Sequence, residues 1–278
     1  MSQPQTRLTV VGSINADITA VTERLPGPGE TIGGGTLRRE PGGKGANQAA
    51  AAARLGGQVR MIGAVGDDDT GTWMKEALSE AGVDVAGITT SSEATGTALI
   101  VVDAESENQI AVCPGANADA TLEGIEFAED EAVLTQLETS MELAVELAAK
   151  AKGFYAINAA PAVELAQEVF DRADLVIVNE TEYELIPALK GHPLVCVTYG
   201  SKGATMVVNG EVTAEVPAVK TKAVNSVGAG DSFCAALTLA LLQGQSHEDA
   251  LKVAASVGAA AVADEASQPK FESLASYS

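Results

Sequence analysis

Short runs of apolar and β-branched residues alternate along the chain with longer, Ala-rich stretches in which apolar positions recur every three to four residues. The first pattern predicts strands and the second predicts helices packed against them. Strands are expected at 8–12, 59–65, 132–137, 154–158, 175–178 and 195–198, and helices at 45–55, 69–81, 141–150, 162–171, 181–189, 231–243 and 247–263. This alternation predicts an α/β fold: a doubly wound, mostly parallel sheet with helices on both faces. Two segments break the rhythm. Residues from about 18 to 40, and the pair 97–103 and 108–113, read as strands with no helix between them. A small β-sheet lid, formed by about 15–42 and 95–114, is therefore expected within a single domain spanning 1–278.

Charge removes one class of function. The 278 residues include 38 Asp or Glu against 17 Lys or Arg, a formal net charge of −21, whereas a nucleic-acid binder needs a basic surface. With 46% hydrophobic residues the chain has material for a full core, which excludes disorder. The longest nearly apolar run, 234–242, is about half of the ~20 residues that a bilayer span requires. Met1-Ser2-Gln3-Pro4-Gln5-Thr6-Arg7 precedes a hydrophobic stretch of only 8–11, too short for a secretory signal, so no export is expected. Cys113, Cys196 and Cys234 are odd in number and far apart, and the two histidines, His192 and His247, are also distant. No disulfide framework and no zinc or iron centre is expected, and a reducing cytoplasm fits best.

The candidate chemistry lies in short polar clusters. A phosphate loop of the Walker type fails at Gly43-Lys44, and a dinucleotide fingerprint fails at Gly228-Ala229-Gly230-Asp231-Ser232-Phe233, where Phe stands in the place of the third glycine. What remains there is a small-residue turn opening into an apolar helix. Its unsatisfied backbone N–H groups and positive dipole end favour an anion such as a phosphoryl group. Asp231 at its mouth reads either as a helix cap or as a general base that takes a hydroxyl proton.

In Pro41-Gly42-Gly43-Lys44-Gly45-Ala46-Asn47-Gln48, the glycines admit a close ligand, and Lys44 and Asn47 share a helix face. They suit a molecule rich in hydroxyls, or mark an ordinary helix start. Asn15 and Asp17, two apart after the first strand, form either a clamp for a vicinal diol or a local turn. Asn179 and Glu182, three apart at a strand-to-helix junction, form either a capping pair or a holder for the water shell of Mg²⁺. Thr198-Tyr199-Gly200-Ser201-Lys202-Gly203 wraps a nucleotide or makes a hairpin turn.

Taken in order along the chain, these clusters resemble the ribokinase family of carbohydrate kinases. The resemblance also rests on Val11 to Asp17, Pro28-Gly29-Glu30-Thr31, Gly63 to Asp68, Thr95 to Ile100, Pro114-Gly115-Ala116-Asn117, Gln136-Leu137-Glu138 and Asn179 to Glu182, and it covers essentially residues 7–270. It implies an ATP-dependent kinase whose expected acceptor is the primary 5-hydroxyl of ribose. Another pentose, a hexose or a nucleoside, and a sugar-binding protein without turnover, are the rival readings.

The resemblance further implies that Asn15, Asp17, Gly43, Lys44, Asn47 and Glu138 hold the sugar hydroxyls, with Ala98, Ile100 and Ile110 of the lid over its apolar face. Asn179, Thr198, Lys202 and Gly203 would line the ATP site, and Glu182 would organise Mg²⁺. The backbone of Gly228, Ala229 and Gly230 would hold the transferring phosphoryl group, with Asp231 as base. The lid strands would form a homodimer contact.

Three segments depart from the family pattern. The stretch between Leu185 and Val195 is short, so a core layer should be trimmed beside the nucleotide wall. Asn225-Ser226-Val227 stands where the family reads Asp-Thr-x, and Ala266-Ser267-Gln268-Pro269-Lys270 where it reads Gly-Ala-Gln-Pro-Ser. In the family these two segments build a monovalent-cation site. Asn225 removes a negative ligand from it, and the Lys270 ammonium is expected to fill the K⁺ position; the alternative is that Lys270 points to solvent.

Overall fold

The computed structural model describes residues 6–105 and 107–278, so the first five residues of the N-terminal stretch lie outside it. The strands are β1 (Arg7–Val11), β2 (Asn15–Val21), β3 (Thr36–Gly42), β4 (Gln58–Gly66), β5 (Asp84–Ser91), β6 (Gly96–Val102), β7 (Asn108–Cys113), β8 (Ala132–Gln136), β9 (Tyr155–Asn158), β10 (Leu175–Asn179), β11 (Leu194–Thr198), β12 (Ala204–Val208) and β13 (Glu211–Val216). The helices are α1 (Lys44–Arg54), α2 (Asp69–Glu80), α3 (Met141–Lys150), α4 (Gln167–Arg172), α5 (Glu180–Leu185), α6 (Ala229–Leu242) and α7 (His247–Val262).

Nine strands form one sheet in the order β13-β12-β11-β10-β9-β8-β1-β4-β5. Its pairs are parallel from β11 through β5, whereas β12 pairs antiparallel with both β11 and β13. Two apolar layers cover the sheet. Ala49, Ala50, Leu237, Ala240, Leu251 and Val257 lie in one, and Leu143, Leu147, Val169 and Leu189 in the other. Central strands buried on both faces read as continuous apolar runs, which is why β1, β4, β8, β9, β10 and β11 were legible.

A second sheet, β3-β2-β6-β7, carries the expected lid strands. Its register sets Asp17 beside Glu40 and Ala98, and Ile100 beside Ile110. Because side chains alternate across a strand, Asn15, Asp17, Glu40, Ala98, Ile100 and Ile110 share one face. Arg39 emerges on the other face, where its guanidinium stacks 4.3 Å from the centre of the Trp73 ring on α2 and donates to the Thr70 hydroxyl at 2.7 Å.

Three strands were not expected. β5 is a sheet edge with a half-exposed pattern that includes Gly87, so it has neither an apolar run nor a clean alternation. β12 and β13 flank Asn209-Gly210, both with positive φ (50° and 83°), the two-residue hairpin signal. The expected helix at 181–189 is broken: Pro187 has no backbone N–H and drives Ile186 out of the helical region (φ −116°, ψ 77°), so α5 ends at Leu185 and a single 3₁₀ segment, Pro187–Gly191, leads into β11. In this segment Leu189 and His192 are buried, while Leu185 is exposed. The helix expected at 162–171 starts only at Gln167.

Candidate active site

The C-terminal ends of β1, β8 and β9 and the first turns of α1 and α6 converge on one buried carboxylate, Asp231. Gly228 opens the turn that positions it: its φ of +73° is left-handed, and an added Cβ would lie 2.1 Å from the Ser267 carbonyl oxygen. Asp231 follows within the first turn of α6, where N–H groups have no intrahelical partner. It is not a cap, since no side chain caps this helix. Its Oδ2 accepts from Asn47 Nδ2 and its Oδ1 from Gln48 Nε2, each at 3.0 Å. Burial pushes the Asp231 carboxyl up from its ordinary value, while the Lys44 ammonium and the Asn47 and Gln48 amides pull it back.

Next to Asp231 lies a polar pocket under the second sheet. Glu138 Oε2 accepts from the Ser13 hydroxyl at 2.6 Å and from the backbone N–H of Lys44 at 3.0 Å, and Lys44 Nζ lies 3.9 Å from Glu138 Oε1. Burial opposes the Lys44 charge, but Asp231 and Glu138 outweigh it and hold its pKa above the ordinary value. Asn15 Oδ1 accepts from Asn117 Nδ2 at 2.7 Å, and the Asn15 amide nitrogen has no partner among the described residues. The Asp17 carboxylate lies over Gly42, where an added Cβ would meet it at 2.2 Å. Burial, then the negative charges of Glu138, Glu40 and Asp231, push the Asp17 carboxyl up to about 7, against the pull of Lys44. Gly43, with φ +87°, lets α1 start against Ser13 and Asn15. Asn15, Asp17, Gly43, Lys44, Asn47 and Glu138 are thus brought together.

On the other side of the Gly228 turn, a cavity of about 790 Å³ is lined by Thr198, Gly203, Ala229 and Gly230 together with Phe233, Val219, Ala255, Gly258 and Val262. Asn179 and Lys202 are not in its wall. Lys202 pairs at the exposed rim with Glu180, 3.4 Å away. Asn179 and Glu182 form a reciprocal capping box at the start of α5, with both hydrogen bonds 2.8 Å. One oxygen of Glu182, Oε1, has no partner among the described residues, and burial pushes the carboxyl up against the pull of Asn179 and Lys44. A half-buried carboxylate with a free oxygen, close enough to feel Lys44, fits the outer shell of a hydrated Mg²⁺.

The altered cation site is resolved differently from expectation. Lys270 is exposed, and its ammonium has no hydrogen-bond or ion-pair partner among the described residues, so it does not fill the K⁺ position. Instead Asn225 Nδ2 donates to the Glu265 carbonyl at 2.9 Å, and Asn225 Oδ1 accepts from the Val227 N–H at 3.0 Å. Both polar ends of the Asn225 amide are thereby engaged with the backbone around it.

Residues missed from the sequence complete the site. Gln48, Gln136, Asn158 and Gln268 form its amide framework, and Asn117 orients Asn15. Gln48, Gln136 and Asn117 stand inside the matched motifs, where burial alone marks them out.

A cluster of buried polar side chains and a large, mainly apolar cavity meet at the Gly228 turn and one buried acid, Asp231. The chain belongs to the pfkB family of carbohydrate kinases, whose sequence profile matches residues 5–273. It is similar to the ribokinase of Bacillus subtilis (37% identity over 265 residues, 89% of each chain) and to that of Haemophilus influenzae (34% over 287 residues, 94% of each). Among solved structures, the Arabidopsis thaliana ribokinase complexed with ribose and ATP superposes with a TM-score of 0.87 at 30% identity, covering 99% of this chain and 98% of that one. The fold and the activity of an ATP-dependent sugar kinase follow.

Proposed function

We propose that the protein transfers the γ-phosphoryl group of ATP to the primary 5-hydroxyl of ribose. The observation that carries this reading is the position of Asp231, which touches Asn47 of the hydroxyl pocket and sits one residue from Gly230 of the cavity wall. In this reading Asp17 and the free Asn15 amide clamp vicinal hydroxyls, while Gly43, Lys44, Asn47 and Glu138 hold the rest. Asp231 accepts the 5-hydroxyl proton as that oxygen attacks the γ-phosphorus and ADP leaves. General-base catalysis of this kind contributes about 10²- to 10⁴-fold. The first-turn N–H groups that follow Gly228 receive the phosphoryl group, and the Lys44 ammonium adds positive charge where negative charge develops.

Ala98 and Ile100 face the same side of their sheet as Asp17 and cover the sugar; Ile110 extends that face to the exposed edge. Thr198 and Gly203 take the nucleotide in the 790 Å³ cavity. Mg²⁺, when bound, neutralises phosphate charge, with Glu182 holding its water shell and Asn179 orienting Glu182. A homodimer through β6 and β7 would cover Ile110 and Val112, which share one face and are 55% and 56% exposed. No helix among the described residues is long and apolar enough to cross a membrane, and Cys113, Cys196 and Cys234 are free thiols, which suits a cytoplasmic protein.

The test is an ADP-release assay against ribose, 2-deoxyribose, other pentoses, hexoses and nucleosides. The reading expects the highest kcat/KM with ribose. A nucleoside or hexose that exceeds ribose would reassign the acceptor.

A further inference from the structure

Gln48 is fully buried one residue beyond Asn47. Three side-chain amides form a connected set that meets Asp231 through Gln48. Asn158 Nδ2 donates to the backbone carbonyl of Ile177 at 3.1 Å, Gln48 Nε2 donates to Asn158 Oδ1 at 3.2 Å and to Asp231 Oδ1 at 3.0 Å, and Gln136 Nε2 donates to Gln48 Oε1 at 2.6 Å. A side-chain amide read alone can be turned over, exchanging its oxygen and nitrogen. This set cannot. The Ile177 carbonyl only accepts, so Asn158 must turn its nitrogen there and its oxygen toward Gln48. Gln48 must then present its nitrogen, whose second hydrogen points at Asp231, and its oxygen is left for Gln136.

Space for that order is also built in. Gln136 Oε1 is buried with no partner and projects over Gly12, where a Cβ would come within 1.9 Å of it. Turning Gln136 over would set its oxygen against that of Gln48.

We propose that Gln48 is a positioning residue for phosphoryl transfer: its amide, ordered from the Ile177 carbonyl through Asn158, pins Oδ1 of Asp231 on the buried side and leaves Oδ2, beside Asn47 and the Gly228 turn, to take the acceptor's proton. This rests on the reading of Asp231 as the base. The donor also favours the ionised form that a base requires. The other groups that act on Asp231 are Lys44 on α1, Glu138 after β8, and Asp17 on β2, with the Cys234 thiol on its own helix. None of them is removed when Gln48 is changed.

The experiment measures kcat and sugar KM from pH 5 to 9 for the parent protein, Gln48→Met, Asp231→Asn and the double variant. Met keeps the length and volume of Gln48 but removes its donors. Loss of a hydrogen bond to a charged group should lower kcat at pH 7 by about 10- to 100-fold and move the acid limb of the kcat profile up by about one to two pH units. Sugar KM should change less than about threefold. In the Asp231→Asn background the same change should cost nothing further, because Gln48 acts through the carboxylate. An unmoved acid limb, or an equal loss with Asn at 231, would overturn the proposal.

Near-parental turnover of Asp231→Asn alone would overturn the base reading and the proposal with it, and is seen in a separate arm. Gln48→Glu serves if the Met variant does not fold. A carboxylate at 48 repels the Asp231 charge and should also move the limb upward; an unmoved limb there counts equally against the proposal.

Discussion

If Asp17 clamps the sugar as proposed, its carboxyl, held up to about 7 by burial and by Glu138, Glu40 and Asp231, should make sugar affinity a function of pH. As a carboxylate Asp17 can accept from two hydroxyls; once protonated it loses part of that capacity. If the sugar needs the ionised form, affinity rises up to tenfold per pH unit below 7 and levels off above it. From pH 5 to pH 8 the dissociation constant should therefore fall by roughly a hundredfold. The perturbation that isolates the effect is Asp17→Asn, which keeps the shape, cannot titrate in this range and should leave weak, nearly pH-independent binding. Titration calorimetry with ribose and no nucleotide, in buffers of equal ionic strength, measures both. An affinity that is flat from pH 5 to 8 in the parent protein, or a slope retained in Asp17→Asn, would refute the assignment of Asp17 as the clamp.

The same ionisation acts on stability. The folded chain holds the Asp17 proton up to about pH 7 and the unfolded chain only to about 3.8, so the contribution of Asp17 is fully present below pH 4 and is lost as pH rises through 7. Thermal unfolding without sugar should show Asp17→Asn gaining on the parent between pH 5 and pH 8; an equal difference at both would contradict the shift. Gly42→Ala places a Cβ 2.2 Å from the Asp17 carboxylate and should weaken sugar binding at least tenfold, with nucleotide affinity unchanged by calorimetry. Equal loss of both would assign Gly42 to the fold. Gly228→Ala combines a left-handed φ of 73°, costing about 1–2 kcal/mol, with a 2.1 Å approach to the Ser267 carbonyl. It should lower the melting temperature by a few degrees and kcat by more than tenfold, and an unchanged kcat would separate the turn from the transferring phosphoryl group.

The parts of this architecture visible in the sequence are those whose signal is local. Strands such as β1 and β10 are continuous apolar runs because they are buried on both faces, and α3 and α7 carry regular apolar spacing with Ser140 and Ser246 as caps. β5 left no trace because an edge strand needs only a few buried positions. The acid at 231, the amide at 47 and the pair at 15 and 17 were legible as candidates because their residue types suit the chemistry.

Their mutual arrangement was not legible. The contact of Gln48 with Asp231 joins residues 183 apart in sequence, and the cavity wall at 255–262 consists of small apolar residues that any helix could bury. Lys270 shows the opposite failure. A charged residue in an altered motif suggested that it fills a site, yet the Asn225 amide, using a short side chain already on the spot, bonds the Glu265 carbonyl without having to bury an ammonium.

The most direct test of the central claim is the product itself. The purified protein is incubated with ribose, ATP and Mg²⁺, and the phosphorylated sugar is examined by proton-coupled ³¹P NMR, with ADP quantified in the same sample. The account predicts one phosphomonoester coupled to the two protons of C5, formed in equal amount to ADP and abolished in Asp231→Asn. Ribose binding with no ADP release, or a phosphate attached at a ring carbon, would contradict it.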